Sequence, residues 1–227
     1  MPMLKLVAAA LAAGLGTNGL VGGWAVITVE NPPEYLEAGT TYAIEYTVRQ
    51  HGKTLLTGLD GTLLVQAGGT DPFTIDTKPG SSAGHYLATL RVPATEDLRL
   101  TIRSGFSGNG WGDLTLLPIP VIRAGGERPS FSSVQVGRRL FVAKGCGTCH
   151  VNGDVPEFAT LNRVVAEAPV LTGRRLAAEY VRQRLTDPSS LPRIGDYPVR
   201  MPDLSLAPAE VDALVALVSG AGDRAER

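Results

Sequence analysis

The chain has 227 residues, 44% of them hydrophobic and 19% charged, and a formal net charge of -1. That composition supports a packed core, and the near-zero charge points to neither a nucleic-acid partner nor a polybasic membrane surface. Only two cysteines are present, Cys146 and Cys149, too few and too close together for a disulfide framework.

Residues 1–23 place one Lys ahead of an apolar run from Leu6 to Leu15, followed by small residues. This is the layout of an export signal. A membrane-spanning helix needs ~20 apolar residues, and Gly16, Thr17 and Asn18 interrupt the run. The expected location is extracytoplasmic, in the periplasm or on the outer face of the membrane. The segment is either a cleaved signal peptide or a short retained anchor, since no clean A-x-A site stands before Trp24.

From Trp24 the pattern becomes β-rich and alternating. Strands are predicted over 24–30, 41–50, 61–67, 85–92 and 97–104, with 115–123 as a final edge strand because its prolines cannot donate to a ladder. Turn residues separate them, among them Asn31-Pro32-Pro33, His51-Gly52-Lys53 and Lys78-Pro79-Gly80. Short strands at this spacing predict an all-β sandwich over 24–123, with a small open barrel as the alternative. Trp24 and Trp111 are expected in its core.

Residues 124–132 are rich in Gly, Pro and Ser and read as a linker. Beyond them the period is helical. Gly137, Leu140 and Phe141 share one face, Leu176, Tyr180, Val181 and Leu185 make an apolar stripe, and Val211, Leu214, Val215 and Val218 fit a helix over 208–219. Pro208 suits the first turn of that helix and Gly220 its end. The expectation is an all-α domain over 133–227.

CGTCH at 146–150 carries the chemistry. C-x-x-C-H reads as attachment of a c-type haem. Two thiols on one helical turn add to two vinyl groups, and the next residue, His150, offers its imidazole to the iron. Gly147 and Thr148 are small enough to admit the porphyrin edge. A thioredoxin-like site would belong near a βαβ pattern, and a zinc site needs two further ligands, whereas His51 and His85 both lie in the β-rich half. For the sixth position the only methionine beyond the leader is Met201, 51 residues after His150, in a loop held by Pro198 and Pro202.

The segments 137–150, 168–173, 179–188 and 201–218 together resemble class I c-type cytochromes. The resemblance implies one covalent haem c, an all-α fold in which the first and last helices cross at Gly137 and Phe141, and His150 and Met201 as axial ligands. It also implies that the Pro169 carbonyl accepts from Nδ1 of His150 and that Leu171 lines the haem pocket. Ala207 departs from the family's Ser cap and Leu217 from its late aromatic. The segment 23–56 resembles part of the Ig-type sandwiches called YtkA-like, some of which are associated with copper handling. With only His51 and His85 as candidate ligands, a docking or spacer role is expected for this half.

The expected function is single-electron transfer, without catalysis, between redox partner proteins, including those of a membrane respiratory or photosynthetic complex. A haem-based ligand sensor and a copper-handling assembly factor are the alternatives. Arg138, Arg139, Lys144, Arg193 and Arg200 lie near these motifs, and mixed roles are expected for them: steering an acidic partner, holding the haem carboxylates, or plain solvation.

Overall fold

The computed structural model describes residues 22–220, so the export segment expected at 1–23 lies almost wholly outside the described residues. Among the described residues, no helix is long and apolar enough to cross a membrane.

The first part of the chain forms eleven strands: β1 (Ala25–Val29), β2 (Leu36–Glu37), β3 (Thr41–Gln50), β4 (Thr54–Leu55), β5 (Thr62–Ala67), β6 (Phe73–Asp76), β7 (Lys78–Pro79), β8 (His85–Arg91), β9 (Asp97–Arg103), β10 (Asp113–Thr115) and β11 (Ile119–Ile122). One sheet runs β1-β3-β8-β7, with β4 also on β3. The other runs β2-β11-β9-β5-β6, with β10 also on β9. Period-2 alternation explains β5, β8 and β9, whose buried residues (Leu63, Val65; Tyr86, Ala88, Leu90; Leu98, Leu100, Ile102) all face the apolar core between the sheets. The expected edge strand at 115–123 is instead split. β10 ends at Thr115, and β11 lies inside its sheet, antiparallel to β9 and parallel to β2. Neither tryptophan is fully buried, and Trp111 lies under the Arg163 guanidinium at 4.9 Å.

After residue 132 the described residues form four helices: α1 (Ser133–Ala143), α2 (Pro156–Leu161), α3 (Ala178–Thr186) and α4 (Pro208–Ser219), with a 3-10 turn at Cys146–Thr148. Ser132 caps α1 reciprocally with Gln135. Pro208 opens α4 and Gly220, at φ 63°, closes it. Only half a capping box forms at α4: Ala207 N–H donates to the Glu210 carboxylate at 3.0 Å, and the methyl of Ala207 can return nothing.

The predicted pairing of an Ig-like β-sandwich with an all-α class I cytochrome c fold is corrected by this architecture. Among the described residues strand residues outnumber helical ones, and the helices are four short pieces of 11, 6, 9 and 12 residues. Pro188, Pro192, Pro198 and Pro202 and the left-handed glycines Gly173 and Gly195 keep 162–177 and 187–207 irregular. The helices do not close a core of their own either. Phe141, Val142, Leu214 and Val215 belong to the same buried cluster as Ile27, Val29 and Leu114.

Two junctions join the sheets to the helices. Asn162, just past α2, accepts from Thr115 N–H at 2.6 Å and donates to Thr115 C=O at 3.0 Å, so its amide occupies the open side of β10 as a neighbouring peptide would. Lys144, at the end of α1 and only 3% exposed, donates to the Glu30 carbonyl at 2.6 Å and pairs with Glu210 of α4 at 2.8 Å.

Close approach of α1 and α4 depends on Gly137, where any Cβ would collide with the Ala213 carbonyl oxygen. Because the obstacle is backbone, Gly137→Ala is expected to destabilise the protein by about 1–3 kcal/mol. A loss below about 0.5 kcal/mol by urea denaturation would mean that the crossing can widen freely.

Candidate functional site

Gly145 sets the site in place. It adopts φ 72°, open to glycine at little cost, and a Cβ there would run into the Ile27 carbonyl oxygen of β1. The 3-10 turn that follows is therefore docked on the edge of the first sheet. Within it, Cys149 N–H and His150 N–H both donate to the Cys146 carbonyl, at 3.3 and 3.0 Å. The turn brings Cys146, Cys149 and His150 to one cavity of about 340 Å³. Gly147 has a different role from the one expected. Its missing side chain makes room for the Phe158 ring, which any Cβ would meet at 2.6 Å.

His150 Nδ1 lies 2.9 Å from the Pro169 carbonyl oxygen. A carbonyl can only accept, so Nδ1 carries the proton and Nε2 keeps its lone pair. Burial pushes the His150 pKa down, and the Pro169 carbonyl opposes this only in part, so the ring is neutral near pH 7. Burial also pushes the Cys146 thiol up to about 12, with Cys149 adding to the effect, and the Cys149 thiol up to about 11, with Glu167 adding to it. Both are free thiols rather than a disulfide.

Leu171 and Met201 also line this cavity, joined by Phe141, Leu185, Leu214 and Val218 from the helices. Cys146, Cys149, His150, Pro169, Leu171 and Met201 are thus all at this one cavity. Val26 of β1 is there too, which the sequence did not indicate.

Of the five expected cations, Lys144, Arg193 and Arg200 line the cavity, whereas Arg138 and Arg139 are spent on the carbonyls of Asp154 and Pro118. Arg174 and Arg184, not picked out beforehand, also line it, against one carboxylate, Glu167. Arg184 donates to the carbonyls of Pro188, Leu191 and Pro192, and Arg193 to that of Tyr197, which fixes the irregular loop. Arg174 and Arg200 make no side-chain hydrogen bond or ion pair among the described residues.

An apolar cavity of this size suits a cofactor-sized ligand. One neutral imidazole, one thioether, two thiols and spare guanidinium groups fit a haem with its iron, vinyl and carboxylate groups. Among the described residues, no cluster of three or more His, Cys, Asp or Glu could hold a bare metal ion.

No family model and no curated protein matches the chain. Among solved structures, the Lin-41 filamin domain is similar over 43% of this chain and 91% of its own, at 14% identity and a TM-score of 0.33. A superoxide reductase (neelaredoxin) from Ignicoccus hospitalis is similar over 43% of this chain and 80% of its own, at 16% identity and a TM-score of 0.31. The expected membership in the class I cytochrome c and YtkA-like families is corrected: no family model matches, and among the described residues strand residues outnumber helical ones, with four short helices.

Proposed function

We propose that the chain carries single electrons on one covalently held haem, outside the cytoplasm, between protein partners. The observation that carries this reading is the convergence of Cys146, Cys149, His150 and Met201 on one apolar cavity, with the His150 tautomer set by Pro169. The reading rests on these residues and their geometry, independently of any family.

A bound haem supplies a ferric/ferrous couple. The chain's residues do the rest. Cys146 and Cys149 would anchor the haem as thioethers through its two vinyl groups, and Nε2 of His150 and the Met201 sulfur would ligate its iron, where a thioether ligand favours the reduced state. The Pro169 carbonyl keeps the imidazole oriented and more basic. Arg174 and Arg200 would meet the haem carboxylates. The apolar wall keeps water out.

The test is the absorption spectrum of the purified protein, oxidised and reduced. The expected result is a low-spin spectrum with the weak long-wavelength band of methionine–ferric haem ligation, and a reduced form indifferent to CO. Immediate CO binding without that band would favour the ligand-sensor reading instead.

A further inference from the structure

The irregular loop that presents Met201 does not rest on the helices alone. The tip of the turn between β3 and β4 reaches it. Gly52, at φ 69°, is buried although it sits at a turn tip, and a methyl placed on it would stand 3.8 Å from both Val199 and Val26. Val199 and Val26 both line the cavity. Beside them, Lys53 Nζ donates to the Pro198 carbonyl at 3.4 Å. The same sheet also holds the cysteine turn, through the Lys144 bond to Glu30 and the seat of Gly145 on Ile27. One sheet thus touches both the cysteine turn and the Met201 loop.

We infer that the β3–β4 turn is a clamp on the Met201 loop, with Gly52 and Lys53 as positioning residues that set how firmly the sixth ligand is held. This rests on the reading of Met201 as that ligand. The β-rich half is then part of the site: whatever binds or strains it would alter how readily the methionine lets go. Release of the loop is a local opening, and its frequency depends on the few contacts that hold it.

The experiment uses the full-length ferric holoprotein and imidazole, an uncharged competitor for the sixth position. Gly52→Asn tolerates the left-handed backbone and adds bulk against Val199, and Lys53→Ala removes the bond to Pro198. Together they are expected to speed imidazole binding roughly tenfold while the thermal midpoint stays in place. Lys53→Arg alone should bind at the wild-type rate. An unchanged rate in the double variant, or a rise that only follows a lowered midpoint, overturns the clamp while Met201 ligation stands. A wild-type protein lacking the methionine band fails at the underlying reading, and the same sample shows it.

Discussion

Lys144→Met is expected to cost about 3–5 kcal/mol of stability, the range for breaking one partner out of a buried ion pair. The ammonium is 3% exposed and serves three elements at once: it ends α1, binds the Glu30 carbonyl beyond β1, and pairs with Glu210 in the first turn of α4. Methionine fills the volume but leaves the carbonyl without its donor and Glu210 with only the Ala207 amide. Urea denaturation should show the loss as a shifted midpoint with an unchanged slope. Adding Glu210→Gln should recover part of it, because the uncompensated carboxylate is then gone. A single-variant loss below about 1 kcal/mol would mean that the pair behaves like an exposed one.

The second large effect is at Met201. Met201→Ala is expected to remove the long-wavelength ferric band, to open the reduced protein to CO, and to lower the reduction potential. A fall on the order of 100 mV corresponds to nearly two decades in the one-electron equilibrium, at about 59 mV per decade. The side chain is partly buried against the core, so some stability is lost as well, but packing alone would leave band and potential in place. A variant that keeps both sinks the assignment of Met201.

The two halves of the chain differ in how much their residues disclosed. Strand β3 lies at 41–50 as expected, and α4 at 208–219, because alternation and a Pro/Gly pair are local signals. The pairs β4 and β7 are two residues long and owe their existence to neighbours, so no periodicity announces them. Helical periodicity after 132 suggested a self-sufficient all-α domain. It did not show that the same apolar faces also continue the core of the sheets, since a hydrophobic stripe does not name its partner. At the site, CGTCH is contiguous and was legible outright, and Met201 stood out by scarcity. The Lys144 junction and the Val26 wall were not legible, because each joins residues more than a hundred positions apart.

The amide of Asn162 on Thr115 has a consequence for how this molecule behaves in a crowd. An open strand side, with its row of free N–H and C=O groups, invites another chain to add on. At Thr115 both groups already have a partner, and that partner is a side chain with no further backbone to extend the ladder. Growth at this point stops after one rung. Backbone pairing between molecules is thereby blocked at this one point of the strand.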